Sequence, residues 1–362
     1  MRLSAILSEA ARNIGGGTTR AVTFALLLAS MAGSLAVADA VTIHALESQA
    51  QTFRQSGAAT RILQSESAIR GTACDALANG STPIVAAGAL AETTPIDLAA
   101  LPTTSIPAFR VSPGLVALLD GAPELVGAWI SDALAETLAV APGGRLQTSD
   151  GVVTIAGTYP YPKDGRDNRL GFAMLIPVTA DQAFDECWAT AWPLGESTDL
   201  LLRSSAFEPG STDALQIGQL NNTHGTTFDG ALAFDSRITR FAYALIAVAG
   251  LSLGWASIRA RRLEHAAALH AGQRRSEQLA TILVETTVWA LLGSALAAVL
   301  LLAFVIGSES PASSASHPNT TSVLPIVVAA LPVGFGSALG GASIAAFATH
   351  ERHLFRYFKE RR

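Results

Sequence analysis

From Ala21 to Ala38 the chain carries no charged residue, and Thr239 to Ile258, Thr286 to Ile306 and Val323 to Ala348 are comparably long and apolar. A helix needs about 20 apolar residues to cross about 30 Å of hydrocarbon, and within hydrocarbon the backbone must satisfy its own hydrogen bonds. These stretches therefore predict four membrane helices. Asp39 to Ile43 extends the first span. Ala36-Val37-Ala38 and Ala38-Asp39-Ala40 also fit a signal-peptidase pattern, but the apolar run exceeds a typical signal core, so a retained span over 21–43 is the expectation. With hydrophobic residues at 49% and charged residues at 15%, the composition is that of an integral membrane protein.

The charges are segregated. Residues 45–238 hold 21 acidic and 10 basic residues, whereas residues 1–20, 259–280 and 349–362 together hold 13 basic and 5 acidic ones. Basic loops stay on the cytoplasmic side. Both termini and the elbow 259–285 are thus expected inside, and residues 44–238 outside. The loop 307–322 holds Glu309 and no Lys or Arg, as an outer turn should. An acidic outer segment excludes phosphate-backbone binding, so no nucleic-acid partner is expected.

Arg2 to Ile14 places Leu3, Ile6, Leu7, Ala10 and Ile14 at helical spacing, which reads as an amphipathic helix in the membrane interface, with residues 15–17 as a glycine corner. In the outer segment, strand-like and helix-like pieces alternate. Pro83 to Leu90 reads as a buried strand, and Ala100 to Pro107 as a Pro-rich loop. Ile130 to Val140 reads as a helix with Ser131 as N-cap, followed by a hairpin around residues 149–151. The fold class is therefore an α-helical membrane protein with four spans, plus an extracytoplasmic α/β (α+β) domain inserted between helices 1 and 2. Cys74 and Cys187 both fall in that domain, on the oxidising side, and a disulfide is the economical reading. Two buried thiols are the alternative.

In the first span, Ala29 and Gly33, like Ser30 and Ser34, stand four apart, and the fourth carries Pro332, Gly334, Gly336, Gly340 and Gly341; both patterns permit close helix approach. Residues 349–362 form a basic amphipathic tail. Glu285 lies where the third span meets the elbow. A carboxylate there is a functional candidate by default, but at that depth it can also pair with an elbow arginine.

Nucleotide hydrolysis has no motif here. A phosphate-binding loop needs Gly-Lys-Ser/Thr, and the lysines, Lys163 and Lys359, precede Asp164 and Glu360. His350 and His353 are three apart around Glu351, not four, so the zinc-protease helix is absent as well. No enzyme activity, cofactor or metal is expected of this chain.

Three stretches carry a resemblance. RRLEHAAALHAGQRRSEQLATILVETTVWALLGSALA, with Glu264, Gly272, Ile282, Glu285 and Gly293, resembles the elbow and third helix of MacB/FtsX-like ABC transporter permeases. EAARNIGGGTTRAVTFALLL is similar to their N-terminal helix and first span, and ISDALAETLAVAPGGRLQTSDGVVTIAGTY to a segment of their periplasmic core. His265, Ala266, His270 and Gly144 depart from the family pattern. The resemblance implies a mechanotransmitting permease subunit working as a dimer with a second copy or homologue, on a cytoplasmic ATPase subunit that holds the ATP and Mg. It would export or extract a peptide, lipid or lipoprotein. On that reading Glu264, Gly272, Arg274 and Arg275 couple to the ATPase. The alternatives are a mechanotransmitting regulator of a cell-wall hydrolase and a stand-alone membrane sensor.

Overall fold

The computed structural model describes residues 3–80, 82–99, 101–149, 151–207, 215–308 and 329–359. The chain divides into two units, one of Met1–Glu47 with Ala231–Arg362 and one of Ser48–Gly230.

The first unit is helical. Helix α1 (Leu3–Gly15) buries Ile6 and Ala10 and leaves Leu3 and Leu7 exposed. The long α2 (Ala21–Gln55) begins in this unit and carries the first span; its helical hydrogen bonding continues through residues 44–55. After α7 (Gly230–Asp235) come α8 (Ala242–Ala260), α9 (Arg262–His270), α10 (Arg275–Ser308), α11 (Ala330–Ala348) and α12 (Leu354–Lys359). Among the described residues four helices are long and apolar enough to cross a membrane: Ala21–Gln55, Ile238–Ala260, Arg275–Gly307 and Ala330–Ala348. Residues 309–328, which include most of the expected outer loop and the start of the expected fourth span, lie outside the described residues.

Small residues hold these helices together. Helices α8 and α11 pack backbone to backbone: a Cβ added at Gly254 would run into the Ala338 carbonyl, and one at Gly341 into the Leu251 carbonyl. In hydrocarbon no water is released on association, so close van der Waals packing supplies the attraction. Leu28 and Trp289 anchor the shared core with Ile246 and a shell of alanines. Further along, Asp39 and Arg237 form a buried ion pair at 3.2 Å, with the guanidinium 3.7 Å from the Phe234 ring centroid.

Among the described residues the second unit is built on one eleven-stranded mixed sheet, in the order β11-β1-β10-β2-β5-β9-β6-β8-β7-β3-β4, with β11 (Gln216–Gln219) at one edge. Its central strands are β1 (Thr60–Arg70), β10 (Ala183–Ala191) and β2 (Ile84–Glu92), all mutually antiparallel where paired. Parallel pairing occurs between β5 (Ala108–Val111) and β9 (Met174–Pro177), and between β6 (Ala128–Ser131) and β8 (Gly151–Tyr159). Both faces of the central strands are covered, which is why β2 reads as a continuous apolar run. The period of two decides which residue faces where. Cys187, Ala189 and Ala191 enter one core with Leu63, Ile69 and Phe184, while Trp188 enters the other with Leu90, Phe109 and Leu115.

Helix α3 (Gly71–Ala76) lies on the first of these cores and presents Cys74 to Cys187; the two are joined as a disulfide with Cα atoms 5.8 Å apart. The expected bridge is present. The hairpin of β7 (Arg145–Thr148) and β8 also forms, with Thr148 opposite Gly151. Helix α5 (Asp132–Leu138) starts later than expected. Ile130 belongs to β6, opposite Met174, and Ser131 caps the helix by accepting from the Leu134 amide at 3.3 Å. The Pro-rich stretch after Ala100 is not a loop: β4 (Leu101–Ile106) pairs with β3 (Ile96–Leu98). It is the outermost strand of the sheet, and an edge strand tolerates proline because one row of its N–H groups needs no partner.

Candidate functional site

The polar segment between α8 and α10 turns twice. At the first corner Arg261 leaves helical geometry, with φ −112° and ψ 15°, so α8 ends there and does not run on continuously into the elbow. At the second, Gly272 has φ +92°, a conformation that glycine adopts without the Cβ penalty. Helix α9 between them is amphipathic. His265, Ala266 and Leu269 are buried, while Glu264 and His270 are exposed.

Arg261 sits at the first corner and holds two carboxylates. Its Nε donates to Glu264 Oε2 at 2.8 Å, and its Nη1 to Glu285 Oε2 at 2.6 Å. The other oxygen of Glu285 accepts from Asn13 Nδ2 of α1 at 2.6 Å. Glu285 is 4% exposed and both its oxygens are bonded. Three separate pieces of chain therefore converge on one carboxylate: the N-terminal helix, the elbow corner and the third span. Charge-assisted hydrogen bonds of this length are the strong ones, and burial reduces competition from water.

A second tie lies about two turns earlier in α10. Gln278 Nε2 in α10 donates to the His265 carbonyl at 2.7 Å, joining α9 to α10. The His265 ring is buried, and its Nε2 finds no hydrogen-bond partner among the described residues. Burial, reinforced by the Arg261 charge and opposed by Glu264, pushes its pKa down to about 4, so it is neutral at pH 7.

Of the residues singled out from the sequence, Glu264 and Glu285 are joined through Arg261. Gly272 forms the second corner. Arg274 and Arg275 follow it as exposed residues, the Arg274 carbonyl accepting from the Glu277 and Gln278 amides at 3.0 Å. They form an exposed basic tip and do not join the buried network. Helix α10 starts at Arg275, so Glu285 lies well inside a helix and not at its start. Sequence reasoning missed Asn13; it offered an elbow arginine as a partner for Glu285 without saying which, and Arg261 is that arginine. The one available signal was Glu285 itself, because a buried carboxylate needs a donor for each oxygen.

A second charge cluster, built around the buried Glu186, occupies the sheet unit. Arg169 bonds Glu186 through Nη1 at 2.8 Å and Nη2 at 3.1 Å, and Asp167 at 2.6 Å. Glu186 also accepts from Trp188 Nε1 at 2.7 Å and Gln64 Nε2 at 3.1 Å. Nearby Tyr159 donates to the Leu170 carbonyl at 2.8 Å, and burial raises its pKa. On the disulfide side, Asp75 accepts from Ser112 at 2.5 Å and from the Gly114 amide at 3.1 Å, and burial raises its pKa despite these bonds. Every acid here is matched to fixed donors, which describes a structural scaffold. Among the described residues no group of three His, Cys, Asp or Glu side chains is placed to hold a metal ion.

No protein-family model matches the chain, and no curated protein sequence matches it. Among solved structures the chain is similar to the periplasmic region of MacB from Actinobacillus actinomycetemcomitans, at 9% identity and a TM-score of 0.35, over 48% of this chain and 94% of that one. It is also similar to a domain of a protein described as a permease from Porphyromonas gingivalis, at 13% identity and a TM-score of 0.31, over 47% of this chain and 91% of that one.

Proposed function

We propose that this chain is the membrane subunit of an ATP-driven machine of the MacB/FtsX-like permease type, in which a separate cytoplasmic ATPase moves the helices and, through them, an extracytoplasmic domain. The observation that supports this most is the closed network Asn13–Glu285–Arg261–Glu264 behind an exposed basic tip. A loop serving only as a topological anchor needs its arginines in water. This loop buries one of them, Arg261, to fasten α1, α9 and α10 into one piece.

Force applied at the turn 272–275 would then reach α10 as the motion of a body, without being absorbed at the first corner. Arg274 and Arg275 would pair with acidic groups of the ATPase, and Gly272 would let the tip turn back toward the membrane. ATP and Mg belong to the partner in this reading, since this chain lacks the Gly-Lys-Ser/Thr loop. Two copies, or this chain and a homologue, would face two ATPase subunits. The cargo is a peptide, lipid or lipoprotein exported from or extracted out of the membrane.

The test is a pull-down of the tagged full chain from its native membrane in mild detergent, wild type against R274E/R275E. The variant still inserts, because Arg259, Arg261 and Arg262 keep the loop inside. Reversing two rim charges should lower ATPase recovery at least about tenfold. Equal recovery would remove the coupling role of the tip. A wild-type chain that stays monodisperse with no ATPase would point to the stand-alone sensor instead.

A further inference from the structure

The elbow helix α9 is too short to hold its own position. It has nine residues, no side chain caps its start, and both of its ends are corners, at Arg261 and at Gly272. Isolated helices shorter than about 12–15 residues are marginal in water, so what packs against α9 decides where it sits. One tie comes from α10, through the bond from Gln278 to the His265 carbonyl. Another comes from the segment after the fourth span. There the 3-10 turn Glu351–His353 and α12 both pack against α9. We infer that this turn and helix form a clasp that sets the position of the elbow helix for coupling, with Tyr357 as its positioning residue. What the elbow does rests on the coupling reading above; that the clasp holds the elbow does not.

Three observations carry the assignment. The first is the contact itself. The Arg262 guanidinium lies over the Tyr357 ring, 5.0 Å from its centroid, and so joins the first residue of α9 to α12. The ring quadrupole attracts the cation in that geometry.

The second is the path by which the clasp is attached. Thr349 is buried, and its hydroxyl donates to the Ala345 carbonyl at 2.9 Å, so the chain leaves α11 at a fixed point. His350 is extended, at φ −125° and ψ 139°, which breaks the line of α11 before the 3-10 turn begins. The clasp is thus fastened to a membrane span by a link of two residues.

The third is the buried side of α9. Leu269 shares a gap of only about 20 Å³ with Gln278 and Leu279 of α10 and with Ala346 and Phe347 of α11. A space of that size has room for one water at most, so these three helices meet closely here. The elbow helix is therefore held by α10, by the end of α11 and by the clasp, and a shift of either span reaches it directly.

The test is hydrogen exchange of the full chain in detergent, read by mass spectrometry, beside the pull-down described above. A cation–π contact is worth a factor of about two to five at a partly exposed site, so the amides of α9 should exchange about two to five times faster in Y357A. Those of α8 should not change. Y357F keeps the ring and should restore most of the protection. F358A removes a ring that is 63% exposed on the same helix and should have no effect. R262A/Y357A should lose less than the product of the two single losses, since one contact can be broken only once. ATPase recovery should fall in Y357A by a similar factor and return in Y357F, whereas R274E/R275E should lose recovery with α9 exchange unaltered.

Unchanged α9 exchange in Y357A would overturn the clasp, and so would an equal effect of F358A. Faster exchange with full ATPase recovery would mean that the segment steadies the elbow without serving coupling, which overturns the positioning role. If the wild type recovers no ATPase, the coupling reading fails by itself, and the exchange data still decide whether the clasp exists.

Discussion

The helical unit and the sheet unit each bury a carboxylate held by an arginine, yet they secure it differently. Glu285 receives one bond from Arg261 at the elbow corner and one from Asn13 of α1. Glu186 receives Arg169, Trp188 and Gln64, all from the fabric around one sheet. In the helical unit, the surrounding contacts are alanines and glycines at close backbone approach; in the sheet unit they are large side chains and a disulfide. The difference follows from solvent. A sheet unit in water gains from burying apolar area, about 25 cal/mol per Å², so a charge cluster is a local cost inside a large favourable balance. Helices in lipid gain nothing from hiding apolar surface, and their polar ties carry a larger share of the specificity.

The comparison breaks most visibly when the arginine is removed from each pair. Arg261→Met leaves Glu285 buried with only Asn13, and stranding a buried charge costs about 3–5 kcal/mol. Arg169→Met leaves Glu186 with two neutral donors, and Arg169 is 29% exposed, so water can replace part of what is lost. Thermal unfolding of the full chain in detergent should therefore show a larger shift for R261M than for R169M. The double variant R261M/E285M should recover much of the loss, because no charge is left unmatched. An equal shift for the two arginine variants would mean that the surrounding solvent does not set the value of the tie.

The disulfide sharpens the contrast from the other side. Cys74 and Cys187 are 113 residues apart in sequence, and loops of that length lose the most freedom when closed in the unfolded chain. C74A/C187A should destabilise the sheet unit by about 2–5 kcal/mol. Hydrogen exchange on the full chain should show faster opening of β1, β2 and β10, with protection in α8, α10 and α11 unchanged. Faster exchange in the helices as well would mean that the two units do not unfold independently.

What could be read from the sequence was whatever depends on neighbours in the chain. The apolar runs, the Ser131 cap and the hairpin at Thr148–Gly151 all follow from local pattern. The disulfide followed from arithmetic, with only two cysteines available. The bond from Asn13 to Glu285 spans 272 positions, and no periodicity points to it. Gly250 and Gly254 stand four apart in α8 and mark its contact with α11, but small residues recur in every span here, so the pattern alone does not choose the pair. Ile130 fits both a helix face and a buried strand; its pairing with Met174 decided the matter. In each case a partner distant in sequence chose between local options that were nearly equal.

His265 gives the smallest and most selective way to probe the helical unit. Its folded-state pKa of about 4 lies below the ordinary 6.5, so the unfolded chain takes up the proton first as the pH falls. Its penalty is absent above about pH 6.5, grows as the pH drops through 6.5 toward 4, and is complete below the folded value. At pH 5.5 the loss is on the order of 1 kcal/mol. Replacing the ring by an apolar side chain, as in His265→Leu, should flatten that dependence between pH 7 and pH 5 while leaving the sheet unit's acid response unaltered. The neighbours that titrate or carry charge, Arg261 and Glu264, remain in the variant, so any slope that persists belongs to them and not to the imidazole. Detergent melts of wild type and H265L at pH 7.5 and 5.5 separate the two. If the variant loses as much stability on acidification as the wild type, burial of this histidine is not what makes the elbow acid-sensitive, and the polar tie at Glu285 becomes the group to examine.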